Sequence, residues 1–319
     1  MADEALVADI GGTNARFALA DLAGPAPRLS ETRRFRAEDF ATVEEAVAAY
    51  LKGVAAKPKA ASFAVAAPVA GARMAFTNSS WVLDIERLGA ALGLDDVVVI
   101  NDFEALAYGV RHLEKTDLAP VKAGAAEAGA PVLVMGPGTG LGEALVAPAP
   151  GGPLVIATQG GHVAFAPSTD EEARIVSFLA REYGRVSAER VLSGPGIFNI
   201  YRALCAEANA PQVFKTPKEI TDGATSDNMA ARAVDMFCAM LGALVGDATL
   251  AAGARGGVVL GGGILPRIID IFLASKFTER FLDKGRMRFY VERIPVDLIT
   301  RDDAALVGAA TRLREARAK

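Results

Sequence analysis

Two segments of this chain place glycine and threonine at a turn between short apolar runs: Leu6 to Ala20, LVADIGGTNARFALA, and Leu133 to Val146, LVMGPGTGLGEALV. Gly12 and Thr13 of the first align with Gly138 and Thr139 of the second. The flanking runs are too brief for helices and read as paired strands, so each segment is a glycine-rich β-hairpin. Glycine lets backbone N–H groups approach a phosphate with no Cβ in the way, and the threonine hydroxyl adds a donor. Two such turns can grip a polyphosphate from both sides, which points to ATP. The phosphate-facing residues are Gly11, Gly12, Thr13 and Asn14 in the first turn and Gly138, Thr139 and Gly140 in the second. Asp9, at the end of the first strand, is placed to hold Mg²⁺ directly or through water. A plain type I′ or II′ hairpin is the alternative for the first turn. The second is richer, with four glycines from Gly136 to Gly142, more than a hairpin needs. The EALVA that follows it reads as strand, which disfavours a dinucleotide fingerprint opening a helix, and the chain has no GxxxxGK[ST] loop.

A second kind of chemistry is suggested at Asn101-Asp102, where the β-branched run Val97 to Ile100 ends abruptly in a carboxylate. α/β proteins present catalytic groups at such strand ends. Asp102 is the candidate general base for drawing a proton from a hydroxyl as it attacks phosphorus, a role that contributes about 10²- to 10⁴-fold. An Asn-Asp helix N-cap before Phe103 is the structural alternative, and the two roles can coexist. His162 follows Gly160 and Gly161, whose lack of side chains suggests a close approach to the backbone; it can bind a hydroxyl or serve structurally. Glu189 reads locally as a solvated glutamate beside Arg190. Gly261, Gly262 and Gly263, between a β-branched strand and a helix, can let an adenine or ribose lie on bare backbone or can form a tight βα turn.

The elements that must position these residues alternate between strand and helix. A hairpin is followed by a helix near Thr42 to Gly53, a strand at Ala61 to Ala67, a polar loop holding Asn78 and Trp81, a helix near Ile85 to Leu92, and the Val97 strand. The second half repeats the scheme: a hairpin, a strand Leu154 to Ala157 entering Thr158 to His162, then a helix announced by a capping pattern, Ser168 to Glu171. A long apolar helix (Asp227 to Gly253), the strand Gly257 to Leu260, a helix near Pro266, the strand Val296 to Ile299 and a helix Ala304 to Ala316 complete it. The expected domains are 1–111 plus 303–319, a small α/β domain, and 112–302, a large α+β domain.

With 319 residues and 51% of them apolar, the chain can bury two cores. A net charge of −4 argues against nucleic-acid partners, which call for a basic face. Cys205 and Cys238 are the only cysteines, each in an apolar helical pattern, and read as reduced core thiols with no capacity for a zinc site. The acidic start and the short proline-free apolar stretch Met236 to Gly246 favour a cytoplasmic protein without a membrane partner.

Taken in order, DIGGTNARFAL, AAPVAG with MAFTNSSW, INDFEAL, GPGTGLG, GGHVAFAP, VSAERVLSGPG, GGVVLGGGILPR and DDAALVGAA resemble the bacterial glucokinase family, the non-ROK branch of the hexokinase and actin-like ATPase superfamily. The resemblance runs nearly end to end. It implies an α/β, two-lobed, duplicated ribonuclease H-like fold with an interdomain cleft, and transfer of the γ-phosphoryl of ATP to the 6-hydroxyl of glucose. It makes Asp102 the base, with Asn101, His162 and Glu189 holding other sugar hydroxyls and Asn78 a further contact. The two turns would hold ATP phosphates bridged by Mg²⁺, the Gly261 turn would lie by the adenosine, and a homodimer is the expected assembly. The chain departs from the family at Gln159, where a glutamate usually precedes Gly-Gly-His. Glutamine keeps the length but loses the charge, and exchanging a charged hydrogen bond for a neutral one implies about tenfold weaker glucose binding. Sugar preference therefore stays open to another hexose or an amino sugar, and a catalytically weak sugar or nucleotide sensor is the alternative from another class.

Overall fold

Leu6, Ala8 and Ile10 alternate with Ala5 and Val7, so the first strand carries apolar side chains on both faces, and all five are fully buried. A strand of that kind needs a covering layer on each side. This computed structural model describes residues 4–67, 69, 71–76 and 81–318. The chain divides into two units, Met1–Asp117 with Arg301–Lys319, and Leu118–Thr300.

The first unit holds β1 (Glu4–Ile10), β2 (Asn14–Asp21), β3 (Arg28–Arg36), β4 (Ala60–Val65), β5 (Arg73–Ala75), β6 (Val82–Asp84) and β7 (Asp96–Asn101). Its main sheet has the order β3-β2-β1-β4-β7; the first three strands are antiparallel, while β4 and β7 run parallel to β1. One face packs Leu6, Ala8, Ile10, Phe17 and Phe63 against Val43, Val47 and Tyr50 of the helix Val43–Lys52. The helices Asp102–Val110 and Ala304–Arg317 lie against each other and against the sheet strands β1 and β4. Two glycines make that helix pair possible. A Cβ on Gly308 would lie 1.7 Å from the carbonyl oxygen of Ala105, and one on Gly109 would lie 2.0 Å from that of Ala304.

The second unit holds β8 (Leu118–Lys122), β9 (Val132–Pro137), β10 (Leu141–Ala147), β11 (Leu154–Ala157), β12 (Gly257–Leu260) and β13 (Val296–Ile299), in the order β11-β10-β9-β12-β13-β8. Here too an antiparallel set of three, β9 to β11, is followed by two strands parallel to it, β12 and β13, with β8 added antiparallel at the edge. Leu133, Met135, Val258 and Leu260 belong to one core with the helix Asn228–Ala252. By length and composition that helix could cross a membrane, but Phe237, Met240, Leu241 and Val245 are fully buried within the unit, as expected of a core helix. Cys205 and Cys238 are free and buried, and desolvation pushes the Cys238 thiol up to about 12, so it stays protonated and unreactive.

The helix after Pro167 starts one residue later than its capping pattern suggests. Thr169, not Ser168, is the N-cap and accepts the Glu172 N–H at 3.2 Å, while the Glu172 carboxylate reaches back to the Ser168 N–H at 2.7 Å. Glu172 wins over Glu171 because it is fully buried and paired with Arg280 at 2.9 Å. The helix Gly194–Glu207 and the strands β3 and β8 carry no clear periodic signal: the helix opens on Gly-Pro-Gly, and β3 is a polar strand with four arginines at the sheet edge.

Replacing Gly308 by alanine tests the helix contact. Mid-helix glycine to alanine would normally stabilise by about 1 kcal/mol, but here the added methyl meets backbone that cannot swing away. The expected outcome is a net loss of about 1–3 kcal/mol, read as a lower midpoint in urea unfolding.

Candidate active site

Asn101 and Asp102 share the junction between β7 and the next helix, but not the same task. The Asn101 side chain is the N-cap: Oδ1 accepts from the N–H of Phe103 at 2.9 Å and of Glu104 at 3.4 Å, and its amide donates to the Ala67 carbonyl at 3.4 Å. Asp102 is thereby released from the main capping role, although its Oδ1 also accepts the Phe103 N–H at 2.9 Å. That bond favours the charged carboxylate, and two effects oppose it. Desolvation, the larger, and the nearby charge of Asp9 raise the Asp102 pKa from 3.8 to about 7. Asp102 is thus a group that exchanges protons near neutrality.

Asp9 sits opposite Arg16 in the β1–β2 register, and Arg16 donates to its Oδ2 at 2.5 Å. The same guanidinium donates to the Asp302 carbonyl, tying the first turn to the loop before the last helix. The pairing was readable from the hairpin register, although Arg16 was not singled out. In the turn itself the Gly11 N–H donates to the Asn14 carbonyl at 2.9 Å, and the Ala37 N–H to the Thr13 carbonyl at 2.9 Å. In the second turn the Gly138 N–H donates to the Gly140 carbonyl at 2.8 Å. None of Gly11, Gly12, Gly138 and Gly140 has a left-handed φ, so neither turn is type I′ or II′. Thr13 and Thr139 are both exposed.

Around the second turn the structure gathers several of the candidates. The Glu189 Oε2 accepts the Leu141 N–H at 3.0 Å and lies 2.4 Å from where a Cβ on Gly140 would be, while its Oε1 is 4.0 Å from the His162 Nδ1. The Gly194 N–H donates to the Gly138 carbonyl at 2.8 Å, which brings the N-terminus of the helix Gly194–Glu207, capped by Ser193, to the turn. The partial positive charge of a helix N-terminus suits an anion there. Arg185 fixes His162 by donating to its carbonyl at 2.9 Å. Gln159 is exposed, and its carbonyl accepts the His162 N–H at 2.9 Å.

What approaches Gly160 and Gly161 is β10. A Cβ on Gly161 would lie 2.1 Å from the Leu141 carbonyl oxygen, and one on Gly160 would lie 2.1 Å from the Glu143 carboxylate. Glu143 and Thr158 escaped the sequence reading, because nothing in local spacing joins residues that meet only across strands. Among the three glycines after β12, Gly261 is buried with its carbonyl 2.0 Å from where a Gly136 Cβ would be. Gly262 has φ +86° and is packed on the Pro137 carbonyl. Only Gly263 faces open space, so it is the part of the turn free to meet a ligand.

Asn78 lies outside the described residues. Among the described residues no group of three or more His, Cys, Asp or Glu side chains is arranged to hold a metal ion. Asp9 is a single carboxylate already engaged by Arg16, a donor set that fits Mg²⁺ held mainly by water and phosphate oxygens.

The raised Asp102 pKa has a consequence for stability. Between pH 3.8 and about 7 the unfolded chain has released this proton and the folded protein retains it, so ionisation opposes folding progressively more and levels off above about 7. Asp102→Asn removes the cost. Melting curves should show the variant gaining on the wild type as pH rises from 4 to 8, by a few degrees at the upper end; a constant difference across that range would contradict the assigned environment.

The comparisons with known proteins converge. The glucokinase family model matches residues 6–316. The glucokinase of Cupriavidus metallidurans is 43% identical over 316 residues, covering 97% of this chain and 93% of that protein. That of Paramagnetospirillum magneticum is 44% identical over 97% of both. The crystal structure of glucokinase from an Antarctic psychrotroph superposes with a TM-score of 0.85 at 37% identity, covering 99% of this chain and 100% of that one. On this breadth of match the chain belongs to the glucokinase family.

Proposed function

We propose that the protein transfers the γ-phosphoryl of ATP to the 6-hydroxyl of glucose, with Asp102 as the general base. The observation that supports this most directly is a desolvated carboxylate at a strand end, with a pKa of about 7. A base poised near the working pH is partly ionised and still basic enough to take a hydroxyl proton as the oxygen attacks phosphorus. Asp102 then carries the proton, and ADP leaves.

Asn101, His162, Glu189 and Gln159 hold the remaining sugar hydroxyls, with Asn78 as a further contact. The turns Gly11 to Asn14 and Gly138 to Gly140 hold the phosphates, the second aided by the helix N-terminus at Gly194. Gly263 and its neighbours Gly261 and Gly262 lie by the adenosine. Mg²⁺, held by Asp9 through water, would supply neutralisation of charge on the β- and γ-phosphates. The matching strand orders of the two sheets support a duplicated ribonuclease H-like core, and the two units correspond to the lobes of the kinase. A cytoplasmic homodimer completes the reading.

A coupled assay over glucose, mannose, fructose, glucosamine and N-acetylglucosamine tests it. Glucose should be preferred, with kcat/KM falling about tenfold per pH unit below about 7. Asp102→Asn should cut turnover by about two orders of magnitude or more with the fold intact; near-normal turnover in that variant would sink the role of Asp102. Gln159→Glu restores a charged hydrogen-bond acceptor and should lower the glucose KM by about tenfold. An unchanged KM, or a shift toward another sugar, would show that position 159 does not carry glucose affinity in this way.

A further inference from the structure

The segment from Thr158 to His162 carries two of the proposed sugar contacts, yet few backbone bonds hold it. Its internal ties are the His162 N–H to the Gln159 carbonyl at 2.9 Å and the Val163 N–H to the Gly160 carbonyl at 3.2 Å. What fixes it to the sheet is Thr158 on Glu143. The Thr158 N–H reaches the Glu143 carbonyl at 3.3 Å, and the Thr158 hydroxyl lies 3.0 Å from the Glu143 Oε1 and 3.2 Å from its carbonyl oxygen. The hydroxyl in turn accepts the Gly160 N–H at 3.3 Å. A chain of polar contacts therefore leads from the carboxylate of Glu143, through one hydroxyl, to the backbone of the loop.

The carboxylate also touches the loop directly. A Cβ on Gly160 would sit 2.1 Å from Oε2 and 2.3 Å from Cδ, so Gly160 is the residue type that lets the loop close down on this side chain. Glu143 is partly buried, and desolvation lifts its pKa above the ordinary value against the Thr158 hydrogen bond. A glutamate on a strand at this depth needs a reason to be there, and a leucine or valine would fill the space with no polar group to satisfy.

We infer that Glu143 is a positioning residue for sugar recognition: acting through Thr158 and against Gly160, it locks the 158–162 loop onto β10 and so sets where Gln159 and His162 stand. The inference rests on the reading of those two residues as sugar contacts. Glu143 does not itself touch the sugar, because the loop backbone lies over its carboxylate. What the loop requires of it is a hydrogen-bond acceptor of fixed length, and not a charge.

Steady-state kinetics separate this from a general structural role. Glu143→Ala should raise the glucose KM by about tenfold while kcat and the ATP KM change by no more than about twofold, since a loosened loop costs binding and leaves the base in place. Glu143→Gln keeps a carbonyl to accept from Thr158 and should restore the KM to within about threefold. Thr158→Val should resemble Glu143→Ala, and the double variant should be no worse than either alone. Glutamine as damaging as alanine would overturn the acceptor role in favour of charge. Equal losses for both substrates would overturn the positioning role in favour of plain destabilisation. A melting-temperature cycle with Gly160→Ala checks the contact whatever the substrate is. Gly160→Ala should be costly in the wild type and much cheaper beside Glu143→Ala, and equal costs would show that the carboxylate does not bear on the loop.

Discussion

A carboxylate held out of water at the start of a helix is the interaction around which the first unit is organised. Moving the Asp102 pKa from 3.8 to about 7 corresponds to at most about 4 kcal/mol of preference for the neutral form. The opposing local terms are a single backbone hydrogen bond and the end of a short helix, together worth about 1–2 kcal/mol. Desolvation prevails because the helix is pressed close to the Ala304–Arg317 helix through Gly109 and Gly308, and because Asn101 has taken over the capping. The packing of two helices by their glycines is thus linked to the proton affinity of a group at the end of one of them.

In the second unit the same physical device, backbone approach without a Cβ, serves the protein itself more than a ligand. Gly136 on the Gly261 carbonyl, Gly161 on the Leu141 carbonyl and Gly160 on the Glu143 carboxylate are all contacts internal to the fold. They draw the second turn, the 158–162 loop and the end of β12 around β9 and β10. Glu189 completes the arrangement, with one oxygen on the Leu141 N–H and the other facing His162. A glutamate that reads in the sequence as a solvated helix residue is in fact the joint between a glycine turn and a histidine.

Much of this was legible because it is local. The two hairpins, the strand ending at Asn101 and the buried helix after Asp227 each announce themselves by alternation, by a charge after an apolar run, or by sustained apolar periodicity. The illegible parts depend on contacts between distant residues. Edge strand β3 follows Arg16 and its neighbours by pairing alone, since RLSETRRFR has too few apolar positions to declare a strand. Ser168 and Thr169 offer equivalent caps to adjacent glutamates, and only the burial of Glu172 against Arg280 decides between them. The glycines before His162 and after β12 correctly signalled close approach, but sequence could not say whether the approaching group was a ligand or the protein's own strand.

The pairing of Asp9 with Arg16 bears on how a cation could enter the first unit. At 2.5 Å the guanidinium already compensates one carboxylate oxygen, and it is anchored a second time on the Asp302 carbonyl, so it is not free to swing away. Direct ligation would place Mg²⁺ and a guanidinium on one carboxylate, with their mutual repulsion weakly screened in a partly buried site. A hydrated ion avoids that conflict: Mg²⁺ sheds water reluctantly, and a bridging water lets the free oxygen of Asp9 act on the metal without displacing Arg16. The same arrangement moderates the charge that Asp102 feels, because an Asp9 stripped of its guanidinium would press the Asp102 pKa higher still. Arg16 is therefore the element that lets two acidic side chains stand near each other in one unit while only one of them holds its proton near neutrality.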